Sequence, residues 1–172
     1  LQQKSEWLNA LSLGLDIYHG INTSLPDIPI DENERKLNVG YVLRGLILQY
    51  ATINIGNDYS QISLEKGAEL LSSCINICIE FCLEINDVEY LLNQIQPIFD
   101  IKGYLDLFIE KLEPFILCDK IKDQQFGHLT ISKIINLYLE NKKINILSQL
   151  LTHLDIQCID SEDIKKICID NN

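Results

Sequence analysis

Three cysteines, Cys74, Cys78 and Cys82, recur every four residues in the apolar segment CINICIEFCLEI (74–85). Thiols bind zinc and form disulfides, so this spacing is the first place in the chain to look for chemistry. On a helix, however, residues four apart lie in a row along one face, where cysteines pack as small hydrophobic side chains. The spacing therefore predicts buried free thiols on a core-facing helix, which is typical of a reducing compartment.

The other candidate metal ligands do not converge in sequence. No two of them form a CxxC or HxxxH arrangement, which structural zinc sites commonly use. His153 lies between Leu151 and Leu154 near a predicted helix end, where an imidazole packs or interacts with the helix dipole more often than it acts as a base. We expect no metal site and no catalytic histidine. The residues considered are Cys118, Cys158, Cys168, His19, His128 and His153.

Clustered carboxylates occur at Asp160, Glu162 and Asp163. A calcium loop needs a DxDxDG turn and a trailing Glu, which this cluster lacks, whereas acidic residues in a first helical turn are favoured by the helix dipole. Ser72 and Ser73 have no histidine at a useful spacing for activation as nucleophiles. The scattered glycines form no phosphate-binding loop. The sequence thus predicts no catalytic, cofactor-binding or metal-binding residues.

The charge balance points to protein partners. The 172 residues carry a net charge of −11, from 25 acidic and 14 basic side chains. Such a surface repels nucleic-acid phosphates and anionic lipid headgroups. The most apolar segment, 74–85, is interrupted by Glu80 and Glu84 and is shorter than the roughly 20 residues that a bilayer crossing requires. We therefore expect neither nucleic-acid binding nor direct membrane insertion.

Helical periodicity extends along the chain. It predicts a first helix over about 4–19, with Trp7 as a core anchor and Gly20 as its stop, followed by a connector at 21–30. Asp31 and Glu34 make a capping pair for a second helix, which Gly56 and Asn57 close. The apolar positions that this pattern assigns to the second helix include Leu37, Tyr41, Val42, Leu46, Leu48 and Ile53.

A third helix is predicted over about 60–85. Asn86 with Glu89 is a candidate cap for a fourth helix, which Pro97 is expected to end or kink. The next helix covers 104–112 and is expected to bend or stop near Pro114. After a polar linker at 120–128, two short helices back to back are predicted over 129–154.

A last helix is predicted to begin near Asp160 or Ser161. We expect its apolar residues to pack back onto the helix before it. These residues are Ile164, Ile167 and Cys168, and the expected contacts are Leu147, Leu151 and Leu154.

The predicted fold class is all-α, an α-solenoid-like stack of antiparallel helix pairs, with a compact bundle as the alternative. We expect one segment over 1–172, with a weak division near 120–128. The chain contains no methionine and opens with LQQKSEW, which is expected of an internal piece of a longer protein.

Two stretches carry a family resemblance. EWLNALSLGLDIYHG (6–20) resembles the opening of the helical region in the vacuolar protein sorting-associated protein 8 (Vps8) family, through Trp7, Ala10, Leu11, Leu15, Tyr18 and Gly20. LENKKINILSQLLTHLDIQCIDSEDIKKICIDN (139–171) is similar to a downstream segment of that family. The residues that match there are His153, Leu154, Asp155, Ile164 and Cys168.

The resemblance implies a non-catalytic scaffold segment of CORVET, an endosomal membrane-tethering complex that acts in vesicle fusion and protein transport. The implied partners are other tethering-complex subunits, with an early-endosomal Rab GTPase bound through regions outside this segment. The implied location is cytoplasmic and peripheral on endosomal membranes. Two alternatives remain open: a related clathrin-repeat or HOPS-type sorting subunit, and a helical ligand-binding or catalytic domain whose site is assembled from distant residues.

Overall fold

The computed structural model describes residues 2–21, 28–56, 64–121, 126–154 and 165. These residues are helical and contain no strand, so the all-α prediction is confirmed for them. The helices are α1 (Gln2–Tyr18), α2 (Glu32–Gly56), α3 (Leu64–Glu84), α4 (Val88–Tyr90), a π-helical turn (Leu91–Ile95), α5 (Gln96–Ile101), α6 (Leu105–Leu117), α7 (His128–Glu140) and α8 (Ile144–His153). The chain forms two compact units, Leu1–Ile98 and Phe99–Asn172.

In the first unit, α2 packs against both α1 and α3. Leu11 of α1 is fully buried, and the ring of Trp7 lies 6.4 Å from the ring of Tyr50 on α2. Trp7, predicted as a core anchor, is half-buried and lies at the edge of the core. Gly14 brings α1 close to α2, because a Cβ at that position would lie 2.7 Å from Cδ2 of Leu43.

The predicted apolar positions of α2 fall largely on the wrong face. Leu37, Tyr41, Val42 and Ile53 are exposed, with exposed fractions of 72%, 76%, 56% and 40%. The reason is that apolar residues occur on all sides of α2 from Leu37 onward, so periodicity alone does not select the buried face. The apolar residues that α2 buries are Leu43, Ile47, Tyr50, Ala51 and Ile55.

Two helix starts in the first unit depend on aspartate caps. The Asp31 carboxylate accepts the Glu34 N–H at 2.9 Å, which confirms the predicted capping pair of α2. The predicted cap at Asn86 is wrong by one residue, because Asp87 accepts the Tyr90 N–H at 3.0 Å. Asn86 instead adopts a φ of 54° in the turn that ends α3, a conformation that asparagine tolerates better than most residues.

Neither Pro97 nor Pro114 ends the helix in which it lies. The π-helical turn precedes Pro97, and α5 continues to Ile101. Proline lacks the N–H that a regular helix requires, and a π-helical turn is a known way to insert a residue without ending the helix. Pro114 lies within α6, which continues to Leu117.

In the second unit, α6, α7 and α8 pack against one another. The predicted pair of short helices over 129–154 is confirmed as α7 and α8, and the three-residue joint between them makes them antiparallel neighbours. Ile121 and Phe126 lie within the predicted linker and are buried. The division expected at 120–128 lies within this unit, and the single-segment organisation stays a prediction. The core side chains of the unit include Phe108, Leu112, Ile131, Ile134, Ile135, Tyr138, Leu147, Leu150 and Leu154.

The predicted last helix, with Ile164, Ile167 and Cys168, lies outside the described residues. The same is true of the carboxylates Asp160, Glu162 and Asp163 and of Cys158. Their expected packing onto α8 therefore stays a prediction.

Candidate interaction surface

The histidines that the structure describes contact carboxylates at helix ends. Nδ1 of His153 lies 2.8 Å from Oδ1 of Asp119, which links the end of α8 to the turn after α6. Nε2 of His19 lies 3.8 Å from a Glu84 carboxylate oxygen. Ser72 and Ser73 lie on α3. The side chain of His128 lies outside the described part of the chain.

The cysteine row is buried as the spacing predicts. Cys74, Cys78 and Cys82 are fully inaccessible, whereas Cys118 is exposed. A hydrogen bond with Cys74 and burial raise the pKa of the Cys78 thiol, and burial raises the pKa of the Cys82 thiol to about 12. Protonated thiols are poor nucleophiles and poor metal ligands. Among the residues that the structure describes, no group of three potential ligands has metal-binding geometry.

A polar cluster joins α2 to the segment after α3. Arg44 forms an ion pair with Asp87, and the Tyr90 hydroxyl donates to the Arg44 carbonyl at 2.9 Å. The Arg44 guanidinium carbon lies 5.9 Å from the centre of the Tyr90 ring. Burial is the main cause that raises the pKa of Tyr90. The cluster pairs residues more than 40 positions apart, so no local sequence pattern predicts it.

A shallow pocket of about 270 Å³ lies over this cluster. Its walls also include Glu89, Asn93 and Gln94, the last two from the π-helical turn. π-Helical turns are frequent at functional sites. Here Arg44 and Asp87, which line the pocket, bind each other. This ion pair fastens two helices, and its two charges are therefore not available to bind a substrate.

In the second unit, a polar contact between side chains also joins two helices. The Tyr138 hydroxyl donates to the Glu113 carboxylate and thereby joins α7 to α6. Burial, followed by this hydrogen bond, raises the pKa of Tyr138 far above its ordinary value. The ammonium group of Lys143 lies 5.8 Å from the Tyr138 ring centre and 4.0 Å from a Glu110 oxygen.

The exposed side of α2 carries several large apolar side chains, including Leu37, Tyr41, Val42 and Ile53. We call it the Gly45 face, after the residue at its centre, and it runs from Leu37 to Ile53. From Leu37 to Gly56 the sequence contains one charged residue, Arg44, which is paired with Asp87. Large exposed apolar patches commonly mark protein-binding surfaces. The sequence pattern counted Leu37, Tyr41, Val42 and Ile53 among the apolar positions of the second helix and did not identify them as a surface. The near absence of charged residues from Leu37 to Gly56 is the sequence signal that could have identified it.

Parts of the chain are similar to known proteins. Residues 107–172, which include α7 and α8, match the family model described as Vps8 central TPR. The human Vacuolar protein sorting-associated protein 8 homolog is 20% identical over 163 residues, and the mouse homolog is equally similar. The chain is similar to a Vps8 helical region.

The Vps8 match agrees with the resemblance seen in the sequence. The family model includes the segment 139–171, whose residues carried the second half of that resemblance. The alignment to the human and mouse homologs covers 94% of this chain but only 11% of those proteins, so the chain spans about a tenth of their length. No solved structure matches the chain. No helix in the described part of the chain is both long and apolar enough to cross a membrane.

Proposed function

We propose that this chain is a non-catalytic helical scaffold segment of a Vps8-type sorting subunit. The observation that carries the proposal is the match of residues 107–172 to the Vps8 central TPR model, on a unit built from α6, α7 and α8. Helical repeats of this kind bury one face against their neighbours and present the other to partner proteins. The chain would therefore hold other parts of the subunit at a fixed spacing and offer faces to further subunits.

In the same proposal, the complex is a CORVET-like endosomal tether that acts in vesicle fusion and transport between endosome and vacuole. The protein works in the cytoplasm, peripherally on endosomal membranes. Its partners are other tethering subunits, and an early-endosomal Rab GTPase binds elsewhere in the subunit. The net charge of −11 supports protein partners over nucleic acid or bare lipid.

The internal pairing of the polar groups supports a scaffold over an enzyme. Arg44 binds Asp87, Tyr138 binds Glu113, and the cysteine row is buried with raised thiol pKa values. The first two arrangements fasten helices to one another, and the third is packed in the core. A catalytic site would instead leave activated groups facing a cleft.

Affinity capture of the full-length protein from cells tests the proposal. We expect wild-type protein to recover other vacuolar-sorting subunits, identified by mass spectrometry. Ile134→Asp places a charge at a fully buried position of α7, whereas Lys133→Asp introduces the same side chain at the exposed neighbouring position. Ile134→Asp should abolish capture and Lys133→Asp should preserve it, because only the first disrupts the packing of the second unit.

Two results would count against the proposal. Equal capture by wild type and Ile134→Asp, with thermal melting showing that the second unit of the variant is unfolded, would mean that the helices matched to Vps8 do not scaffold the complex. Recovery of only clathrin-type or HOPS-type subunits would assign the segment to a different sorting assembly.

A further inference from the structure

The residues of the Gly45 face are similar in chemical type at equal distances before and after Gly45. Residues four apart form a row on a helix surface, and the row through Gly45 reads Leu37, Tyr41, Gly45, Gln49, Ile53. On each side of Gly45, the nearer residue of the row, Tyr41 or Gln49, carries a hydrogen-bonding group. The farther residue, Leu37 or Ile53, is large and apolar. The row is about 24 Å long at 1.5 Å per residue.

The two rows on either side of this one are also matched about Gly45, with apolar side chains nearer the centre and polar ones farther out. Asn38 and Thr52 are both polar and stand seven residues before and after Gly45, while Val42 and Leu48 are both apolar and stand three before and after it. Asn38, Val42 and Thr52 are exposed, and Leu48 is half-buried. The face is therefore close to palindromic in chemistry around Gly45.

Gly45 is the point at which another helix can approach most closely. Among the described residues, no atom outside the backbone of α2 lies within 4 Å of the position that a Cβ on Gly45 would take, so packing among them does not require the glycine. Glycine in a helix interior is destabilising relative to alanine by about 0.5–1 kcal/mol. A backbone exposed in this way, between Tyr41 and Gln49, offers a shallow notch at the centre of the face.

The geometry points to a second copy of this chain as the occupant of the Gly45 face, docked with its α2 antiparallel to the first. In the commonest helix packing class, rows of residues four apart lie along each other with the helices crossing at about −50°. An antiparallel copy centred on Gly45 then places Tyr41 beside Gln49 of the second copy, with Gly45 against Gly45 at the two-fold axis. A two-fold interface requires this kind of self-complementary surface.

Charge favours this occupant as well. Two chains of net charge −11 repel each other over most of their surfaces. On the Gly45 face, the stretch from Leu37 to Ile53 contains no carboxylate, so two copies can meet there without opposing negative charges. Its one charged residue, Arg44, is held by Asp87 beside α4. One pair of crossed helices buries less area than the roughly 1,200 Å² of a stable interface, so the dimer is a weak one.

Sedimentation equilibrium of the 172-residue chain, from about 1 to about 300 µM, tests whether it dimerises. We expect a reversible dimer in the upper part of this range. Gly45→Leu fills the notch at a position open to solvent and should weaken self-association at least about tenfold, since it separates the two helices at their closest point. Leu13→Lys, at a half-exposed position of α1, is the matched surface control and should leave association unchanged.

A charge exchange tests the antiparallel register. Tyr41→Lys and Gln49→Glu should each weaken self-association when studied alone. Mixed together, the two variants should form a heterodimer more tightly than either forms a homodimer, because the substituted positions 41 and 49 meet across the interface. Circular dichroism of each variant checks that its helices are retained.

A chain that stays monomeric throughout the concentration range would overturn the proposal and leave the Gly45 face to a different protein. Dimerisation that Gly45→Leu does not weaken, or the absence of heterodimer in the charge exchange, would also overturn it. These outcomes do not depend on whether the full-length protein captures sorting subunits. The proposed self-association can therefore be disproved while the proposed scaffold function stands, and the reverse is also true.

Discussion

Arg44 on α2 is ion-paired with Asp87, and the other oxygen of the same carboxylate caps α4 by accepting the Tyr90 N–H. One side chain therefore both starts a helix and fastens it to another helix. Asp87→Ala removes both interactions, and we expect the free energy of unfolding to fall by about 1–3 kcal/mol in urea titrations.

Two further variants separate the roles of Asp87. Asp87→Asn keeps an oxygen that can accept the Tyr90 N–H but removes the charge, so we expect a smaller loss than with alanine. Glu89→Ala, at an exposed position two residues away, should change stability by no more than about 0.5 kcal/mol. Equal losses for Asp87→Ala and Glu89→Ala would show that the cap and ion pair contribute nothing specific.

The hydrogen bond from Tyr138 to Glu113 should be one of the strongest side-chain contacts in the second unit. Tyr138 is nearly inaccessible, and its partner is a carboxylate. Tyr138→Phe preserves the ring and removes the donor, and we expect it to cost about 1.5–3 kcal/mol. A double-mutant cycle with Glu113→Ala, which removes the acceptor, measures the coupling directly, and a coupling energy near zero would contradict the assignment.

The buried thiols predict a loss of stability at alkaline pH. An unfolded cysteine ionises near pH 8.5, whereas the pKa of Cys82 in the folded chain is raised to about 12. Between these values the unfolded chain loses a proton that the folded chain retains. The contribution of Cys82 is therefore fully present below about pH 8.5 and falls by up to about 1.4 kcal/mol per pH unit as pH rises toward 12.

Urea unfolding at pH 7, 9 and 10 measures this decline. Cys82→Ala should make the decline shallower, because the group that titrates is gone. Ile79→Ala, at a buried position of the same helix with no titrating group, should leave the slope as it is in the wild type. A decline of the same slope in all three proteins would show that Cys82 is not responsible.

Local patterns in the sequence predicted the elements whose determinants are also local. The cap at Asp31, the buried row of Cys74, Cys78 and Cys82, and the joint between α7 and α8 each depend on residues within about two turns of one another. Spacing alone specifies such features, because neighbours on a helix face are fixed by its periodicity.

The features that the sequence did not predict depend on distant residues. The buried face of α2 is selected by Leu11 and Gly14 of α1 and by the helices that follow, since α2 itself is apolar on several sides. The pairing of Arg44 with Asp87 spans 43 positions. The π-helical turn at Leu91–Ile95 differs from an α-helix by one residue of register, which a hydrophobic pattern does not resolve.

Two glycines should respond to alanine in opposite directions, and the contrast tests the local geometry assigned to each. Gly20 has a φ of 77°, and a Cβ there would lie 2.8 Å from Nη2 of the buried Arg35, so Gly20→Ala should cost about 1–2 kcal/mol. Gly45 lies in the middle of α2 with open space around it, so Gly45→Ala should stabilise the monomer by about 0.5–1 kcal/mol. Thermal melts at low micromolar concentration keep the chain monomeric and isolate these effects. If Gly45→Ala instead destabilised the monomer, the glycine would be serving packing within the chain, and the open face centred on it would not exist.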